Sequence, residues 1–113
     1  MQREAEAENP ANVHRGQARF AYRFASRYTG HFLHVAGIGW YSWDGTRFVP
    51  DQLGETIRAV LYELRVALSQ SLDDRELRAD VRKCESATGV AGVLSIAAAL
   101  EQFAATVADL DAD

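Results

Sequence analysis

Residues 31–49, HFLHVAGIGWYSWDGTRFV, are dominated by aromatic and β-branched side chains, punctuated by glycine, and bounded on both sides by sequence with helical periodicity. Such a stretch has to close a small sheet on itself, and a small sheet is stable only when a helix covers one face. Asp44-Gly45 marks the turn, because a two-residue hairpin loop needs positive φ at both central positions and Asp and Gly tolerate it. Counting outward sets a register of Trp43 opposite Thr46, Ser42 opposite Arg47, Tyr41 opposite Phe48 and Trp40 opposite Val49. Residues 32–36 extend the hairpin to a three-stranded meander through Gly37-Ile38-Gly39.

The flanking sequence reads as helix. Phe20, Phe24 and Tyr28 recur every fourth residue, with Val13, Ala21 and Ala25 near the same face, Asn12 as N-cap and Thr29-Gly30 as the stop. After Pro50, the residues Ile57, Val60, Leu61, Leu64, Leu68 and Leu72 form an apolar stripe at spacings of three and four. Asp73-Asp74 opens a shorter, highly charged outer helix whose apolar positions are Leu77, Val81 and Cys84, with Asp74 and Arg78 spaced for an i,i+4 pair. Thr88-Gly89 offers a break, and Val90, Val93, Leu94, Ala97, Leu100, Ala104 and Val107 continue as a final helix with a close-packing Ala97-Ala98-Ala99 run. The expected fold class is therefore α+β and mostly helical: an N-terminal helix, an aromatic β-hairpin or three-stranded meander, then about three helices. Residues 1–11 read as a flexible acidic tail, residues 12–108 as a single domain and residues 109–113 as a frayed end.

A lone cysteine, Cys84, allows no intrachain disulfide and no cysteine-based zinc site, which fits a cytoplasmic protein. No stretch is apolar enough for a membrane span, and no membrane role is expected. The net charge of −4 discourages nucleic-acid binding until its distribution is considered. Residues 9–43 hold four Arg, three His and no acid, whereas residues 44–113 carry thirteen acids against seven bases. Arg15, Arg19, Arg23 and Arg27 form a ladder along the first helix, its members about 6 Å apart at ~1.5 Å rise per residue, close to the phosphate spacing of an extended strand. The readings open are that the ladder holds nucleic acid, that acids such as Asp73, Asp74, Glu76 or Asp80 neutralise it internally, that it is simply a solvated face, or that it meets a protein partner. Trp40, Tyr41, Trp43 and Phe48 could stack on bases or form core; Trp43 and Arg47, near the turn, are the pair expected to reach solvent. The nucleic-acid contacts expected are thus Arg15, Arg19, Arg23, Arg27, Arg47 and Trp43.

Enzyme signatures are missing. The chain has no phosphate-binding loop, no nucleophile elbow and no paired acids near its histidines, so no catalytic residue and no cofactor is assigned. His31 and His34 have an H-x-x-H spacing, but on a strand that puts them on opposite faces, so no metal site is expected.

The order of motifs resembles the module that precedes the superfamily-three helicase domain in phage and plasmid primase-helicases, relatives of the poxvirus primase-NTPase. Gly39, Trp40, Trp43, Asp44, Gly45 and Phe48 match its hairpin; Lys83, Glu85 and Ser86 match a lysine-glutamate-serine patch; Asp109, Asp111 and Asp113 fall where an aspartate-rich step leads into the next domain. The segment NPANVHRGQARFAYRF is similar to the family's opening helix, and the resemblance spans roughly residues 9 to 113. It implies a non-catalytic accessory module that contacts DNA and helps position a helicase, with residues 109–113 starting a linker to a helicase domain outside this chain. The expected partners are DNA, a helicase domain or other replication proteins, and a second copy of the chain. The competing reading is an oligomerisation or protein-docking module without DNA binding.

Overall fold

A computed structural model describes residues 13–110. The expected N-cap at Asn12, the tail of residues 1–11 and residues 111–113 of the frayed end lie outside the described residues. Helix α1 spans Gly16–Tyr28, strands β1, β2 and β3 span Phe32–Val35, Gly39–Trp43 and Phe48–Pro50, and helices α2, α3 and α4 span Glu55–Ser69, Arg75–Cys84 and Ala87–Ala97. A two-residue strand β4, Ala104–Ala105, and a single turn of helix α5, Val107–Leu110, follow. The fold is α+β, with an N-terminal helix, strands, then helices, as the sequence implies.

The strand order is β3-β2-β1-β4. The three-strand meander is antiparallel, with Phe32 opposite Ser42 and His34 opposite Trp40 in the β1–β2 ladder. The hairpin register differs from expectation: Trp43 pairs with Phe48, Ser42 with Val49 and Tyr41 with Pro50. The cause is the Asp44 side chain. Its Oδ1 accepts hydrogen bonds from Thr46 N at 2.8 Å and Arg47 N at 2.9 Å, while Asp44 N donates to Arg47 O at 2.9 Å. These bonds stabilise a loop over 44–47 in place of the two-residue turn. The pairing slips by two residues, so every side chain keeps its face.

Two helical boundaries also move. Arg15 is extended at φ −122°, and Gly16 takes φ +60°, a conformation disfavoured for residues with a β-carbon. The helix therefore starts at Gly16, and Val13, expected on its apolar face, is exposed. The Thr88-Gly89 break is not one: Ser86 is the N-cap of α4, its Oγ accepting from Gly89 N at 2.9 Å, so both residues lie in the first helical turn. A β-carbon at position 89 would stand 2.3 Å from Cys84 O, so the glycine allows α4 to start tight against the end of α3.

The expected last helix ends early, at Ala97. The chain turns, Phe103 O accepts a hydrogen bond from His34 N at 2.7 Å, and β4 pairs in parallel with β1, His34 opposite Ala104 and Val35 opposite Ala105. A free β1 edge and a core slot for Phe103 outweigh the helical periodicity that runs on through Leu100, Ala104 and Val107. Phe103 is fully buried, 5.1 Å from Phe24 and 5.4 Å from Trp40, centre to centre. The core it joins includes Phe20, Phe24, Phe32, Val60, Leu64, Val81 and Val93, drawn from α1, the sheet and α2 to α4.

Candidate functional site

The basic residues of α1 and α3 form the chain's main electrostatic feature, and the elements around them decide what each can do. Helix α2 is anchored by Asp51, whose carboxylate accepts from Glu55 N at 2.8 Å and from Thr56 N at 2.9 Å, substituting for the missing side chain of the N-cap residue, Gly54. Burial alone would raise the Asp51 pKa, but these donors hold it below the ordinary value. Helix α3 is capped by Asp74, which accepts from Leu77 N at 3.0 Å. Arg78 is not paired with Asp74 in the ion-pair sense expected; its Nη2 donates to Ser71 O at 3.0 Å and Leu72 O at 2.9 Å. With α2 and α3 so fixed, each turns one buried carboxylate, Glu63 and Asp80, toward the arginine edge of α1.

Every ladder arginine meets an acid. Arg15 grips Asp80 with Nε at 2.8 Å and Nη2 at 3.2 Å, and reaches Glu76 at 3.5 Å. Arg19 is buried; its Nη1 lies 3.3 Å from Asp80 Oδ2 without hydrogen-bond geometry, and its Nε donates to His14 O at 3.1 Å. Arg23 donates to Glu63 Oε1 at 3.1 Å and Gln70 Oε1 at 2.6 Å, while Arg27 donates to Glu63 Oε2 at 2.6 Å and lies 5.6 Å from the ring centre of Tyr62. Burial works to raise the Asp80 pKa, yet the Arg15 hydrogen bond, the Gly16 amide and the charges of Arg15 and Arg19 hold it below the usual carboxylate range. Of the acids expected to neutralise the ladder, Asp80 and Glu76 do so. Glu63 was missed, although a single acid between Tyr62 and Leu64 in a leucine-striped helix is itself a sign of an incoming cation.

The positive charge left over sits elsewhere. Arg75, Arg78, Arg82 and Lys83 line an open groove of about 960 Å³ together with Glu76, Ala79 and the paired ladder residue Arg15. Asp80, the other acid in the middle of α3, faces inward and is held by Arg15 and Arg19. Spacing alone could have indicated this cluster, since Arg75, Arg78 and Arg82 stand at i, i+3 and i+7 on one helix face.

The remaining candidates separate. Trp40 packs into the core against Phe24, Phe32 and Phe103, and Ser42 beside it is buried, its hydroxyl donating to Glu55 Oε2. Trp43, on the opposite face, is 39 % exposed and meets Phe48 edge-on at 5.1 Å, with exposed Arg47 in the adjoining loop. The histidines lie against aromatic rings: His14 stacks on Tyr22 at 4.5 Å, His31 meets Phe32 at 4.6 Å and His34 meets Trp40 at 5.0 Å. Among the described residues no three His, Cys, Asp or Glu side chains converge on a metal-sized site, and no helix is long and apolar enough to cross a membrane. Cys84 is buried, and burial pushes its thiol pKa up, away from the thiolate a nucleophile needs.

No curated protein and no solved structure matches the chain at a significant level. A family model described as "D5 N terminal like" matches residues 21–113, beginning later than residue 9 and leaving Arg15 and Arg19 outside the match. With most of its length under that model, the chain belongs to the D5 N-terminal-like family, the module found at the N-terminal side of phage and viral primase-helicase proteins.

Proposed function

We propose that this domain is a non-catalytic accessory module of a phage-type primase-helicase, one that touches the DNA backbone through the groove on α3 and the N-terminal end of α1 and thereby helps position the helicase domain. The observation that supports this reading is the charge left after internal pairing: Arg75, Arg78, Arg82 and Lys83 face the groove against Glu76, while Asp80 is held by Arg15 and Arg19. Phosphate binding depends on such a surplus rather than on net charge. Arg15 stands at the groove and has about half of its side chain exposed, so it serves both the ladder and the groove. Arg19 and Arg23 are more deeply covered and act as frame, holding α1 to α3 and α2; Arg27 marks the far end of the ladder. The hairpin tip adds a second contact, since a half-exposed indole beside a cation, Trp43 with Arg47, suits an unpaired base. ATP hydrolysis, unwinding and priming belong to other domains of such a protein.

Salt dependence provides the test. Replacing Arg75, Arg82 and Lys83 together with Ala is expected to flatten the log-log salt slope of duplex binding by up to about 2.7 units, at ~0.9 unit per lost phosphate contact. Fluorescence anisotropy with a labelled oligonucleotide at several salt concentrations measures it. A slope and affinity equal to those of the parent chain would remove the groove from DNA binding, and a chain that binds no oligonucleotide at all would leave docking as its role.

A further inference from the structure

The apolar stripe of α2 does not enter the core as a whole. Val60 and Leu64 are buried, but Ile57, Leu61 and Leu68 are 49, 45 and 42 % exposed, and Leu72 lies exposed just past the helix end. At about 100° per residue Ile57, Leu61 and Leu68 share one narrow face, and Arg65 and Arg58 flank it on one side. Ile57 and Leu61 meet Ala87, Val90 and Ala91 of α4 across a groove of about 380 Å³, closed at one rim by Glu85 and Ser86. Exposed apolar residues are ordinary when scattered; a row of them beside a groove marks an interaction surface.

We infer that this groove docks an amphipathic helix from another polypeptide, with acidic side chains along one flank. Anchors at i, i+3 or i+4, and i+7 fill a groove of this kind, and the small side chains of Ala87 and Ala91 let a helix backbone approach closely. Charge selects the occupant. Glu63 is buried with Arg23 and Arg27, and Glu55, which shares a cleft with Arg58, accepts from Ser42, so Arg65 and Arg58 are the exposed charges on this flank of the stripe. Arg58 Nη1 donates to Leu53 O, which fixes its guanidinium at the N-terminal end of α2. A second copy docked antiparallel through α2 by two-fold symmetry would bring the arginine flanks of both copies to the same side, a like-charge contact that costs affinity. An acidic amphipathic helix satisfies both the stripe and its cationic flank, and Glu85 on the α4 rim orients the acidic flank toward α2.

The inference is independent of the nucleic-acid reading, and its test contains no DNA. Two fluorescein-labelled synthetic helices share one leucine pattern and differ in carrying Glu or Lys along a flank; each is titrated with the intact chain and followed by anisotropy. The Glu peptide is expected to bind at least tenfold more tightly than the Lys peptide. Leu61→Glu, at an exposed position where circular dichroism should show the fold retained, is expected to weaken it at least tenfold, and Arg58→Glu with Arg65→Glu to reverse the preference. Equal affinity for the two peptides, or no binding of the Glu peptide, overturns the inference. So does a concentration-dependent dimer in sedimentation that Leu61→Glu abolishes, since that assigns the face to a second copy.

Discussion

The arginine edge of α1 and the outer face of α3 each present four basic residues, Arg15, Arg19, Arg23 and Arg27 in one case and Arg75, Arg78, Arg82 and Lys83 in the other. In the sequence, the first set looks like the exposed one, standing in 35 residues without an acid, while the second is interspersed with Glu76 and Asp80. In the folded molecule their situations are exchanged. Glu63 and Asp80 arrive from α2 and α3 to cover the α1 edge, and Asp80, in leaving its own helix surface, uncovers the basic residues around it. Asp80 thus acts on both faces, holding Arg15 and Arg19 while Glu63 holds Arg23 and Arg27. Charge read along the chain counts neighbours in sequence, whereas surplus charge depends on which acids the fold turns inward.

The largest effect that tests this contrast comes from Asp80. Asp80→Ala leaves buried Arg19 with its Nη1 already lacking a hydrogen bond, and removes both Arg15 bonds. Breaking a buried pair by deleting one partner costs about 3–5 kcal/mol, and a loss of that size is expected in urea denaturation. A loss below about 1 kcal/mol, the range of surface ion pairs, would mean that the α1 edge is as solvated as α3 and would erase the distinction.

Acid provides a gentler form of the same perturbation. Asp80 is held below the ordinary carboxylate value in the folded state, against about 3.9 when unfolded. Its contribution is complete above the unfolded value and is lost as pH falls through the lower folded value, because the unfolded chain then binds the proton more readily. Stability of the parent chain is therefore expected to fall between pH 4 and the acid limit by more than that of Asp80→Ala, and the two denaturation curves should converge. Parallel curves over that window would show that Asp80 is not the group that titrates.

How much of this was legible depended on whether the deciding contact was local. The start of α3 at Asp73-Asp74 and its inward Leu77, Val81 and Cys84 follow from the sequence pattern, and so does the meander around Gly37-Ile38-Gly39. The hairpin register was missed because the Asp44 side chain competes for the turn amides, a choice between two local hydrogen-bond patterns that composition does not decide. Residues 98–107 were read as helix because Leu100, Ala104 and Val107 keep helical spacing, and the open edge of β1 that captures Ala104 and Ala105 is some 70 residues away in sequence. Of the α2 stripe, Ile57 to Leu68 fall on the helix and Leu72 lies past its end at Ser69, and periodicity does not reveal that Val60 and Leu64 face the core while Ile57, Leu61 and Leu68 turn outward. For the charged edge, Glu76 and Asp80 were foreseeable partners; Glu63 was hidden among apolar neighbours.

The smallest effect, and the one of opposite sign, belongs to α3. Arg82 stands four residues from Arg78 and seven from Arg75, so the helix bears like charges at the spacing that weakens it by a few tenths of a kcal/mol per pair. Alanine is the better helix former at an exposed position. Arg82→Ala is therefore expected to leave stability unchanged or raise it by about 0.2–0.5 kcal/mol, with the gain shrinking as salt screens the repulsion. Thermal melts at low and high ionic strength measure it. A destabilisation beyond about 1 kcal/mol, the size of a lost structural contact, would place Arg82 among the framework residues with Arg19 and Arg23. A gain that salt removes means the α3 cations cost the fold free energy when unliganded, as expected of side chains whose partner is an anion outside the domain.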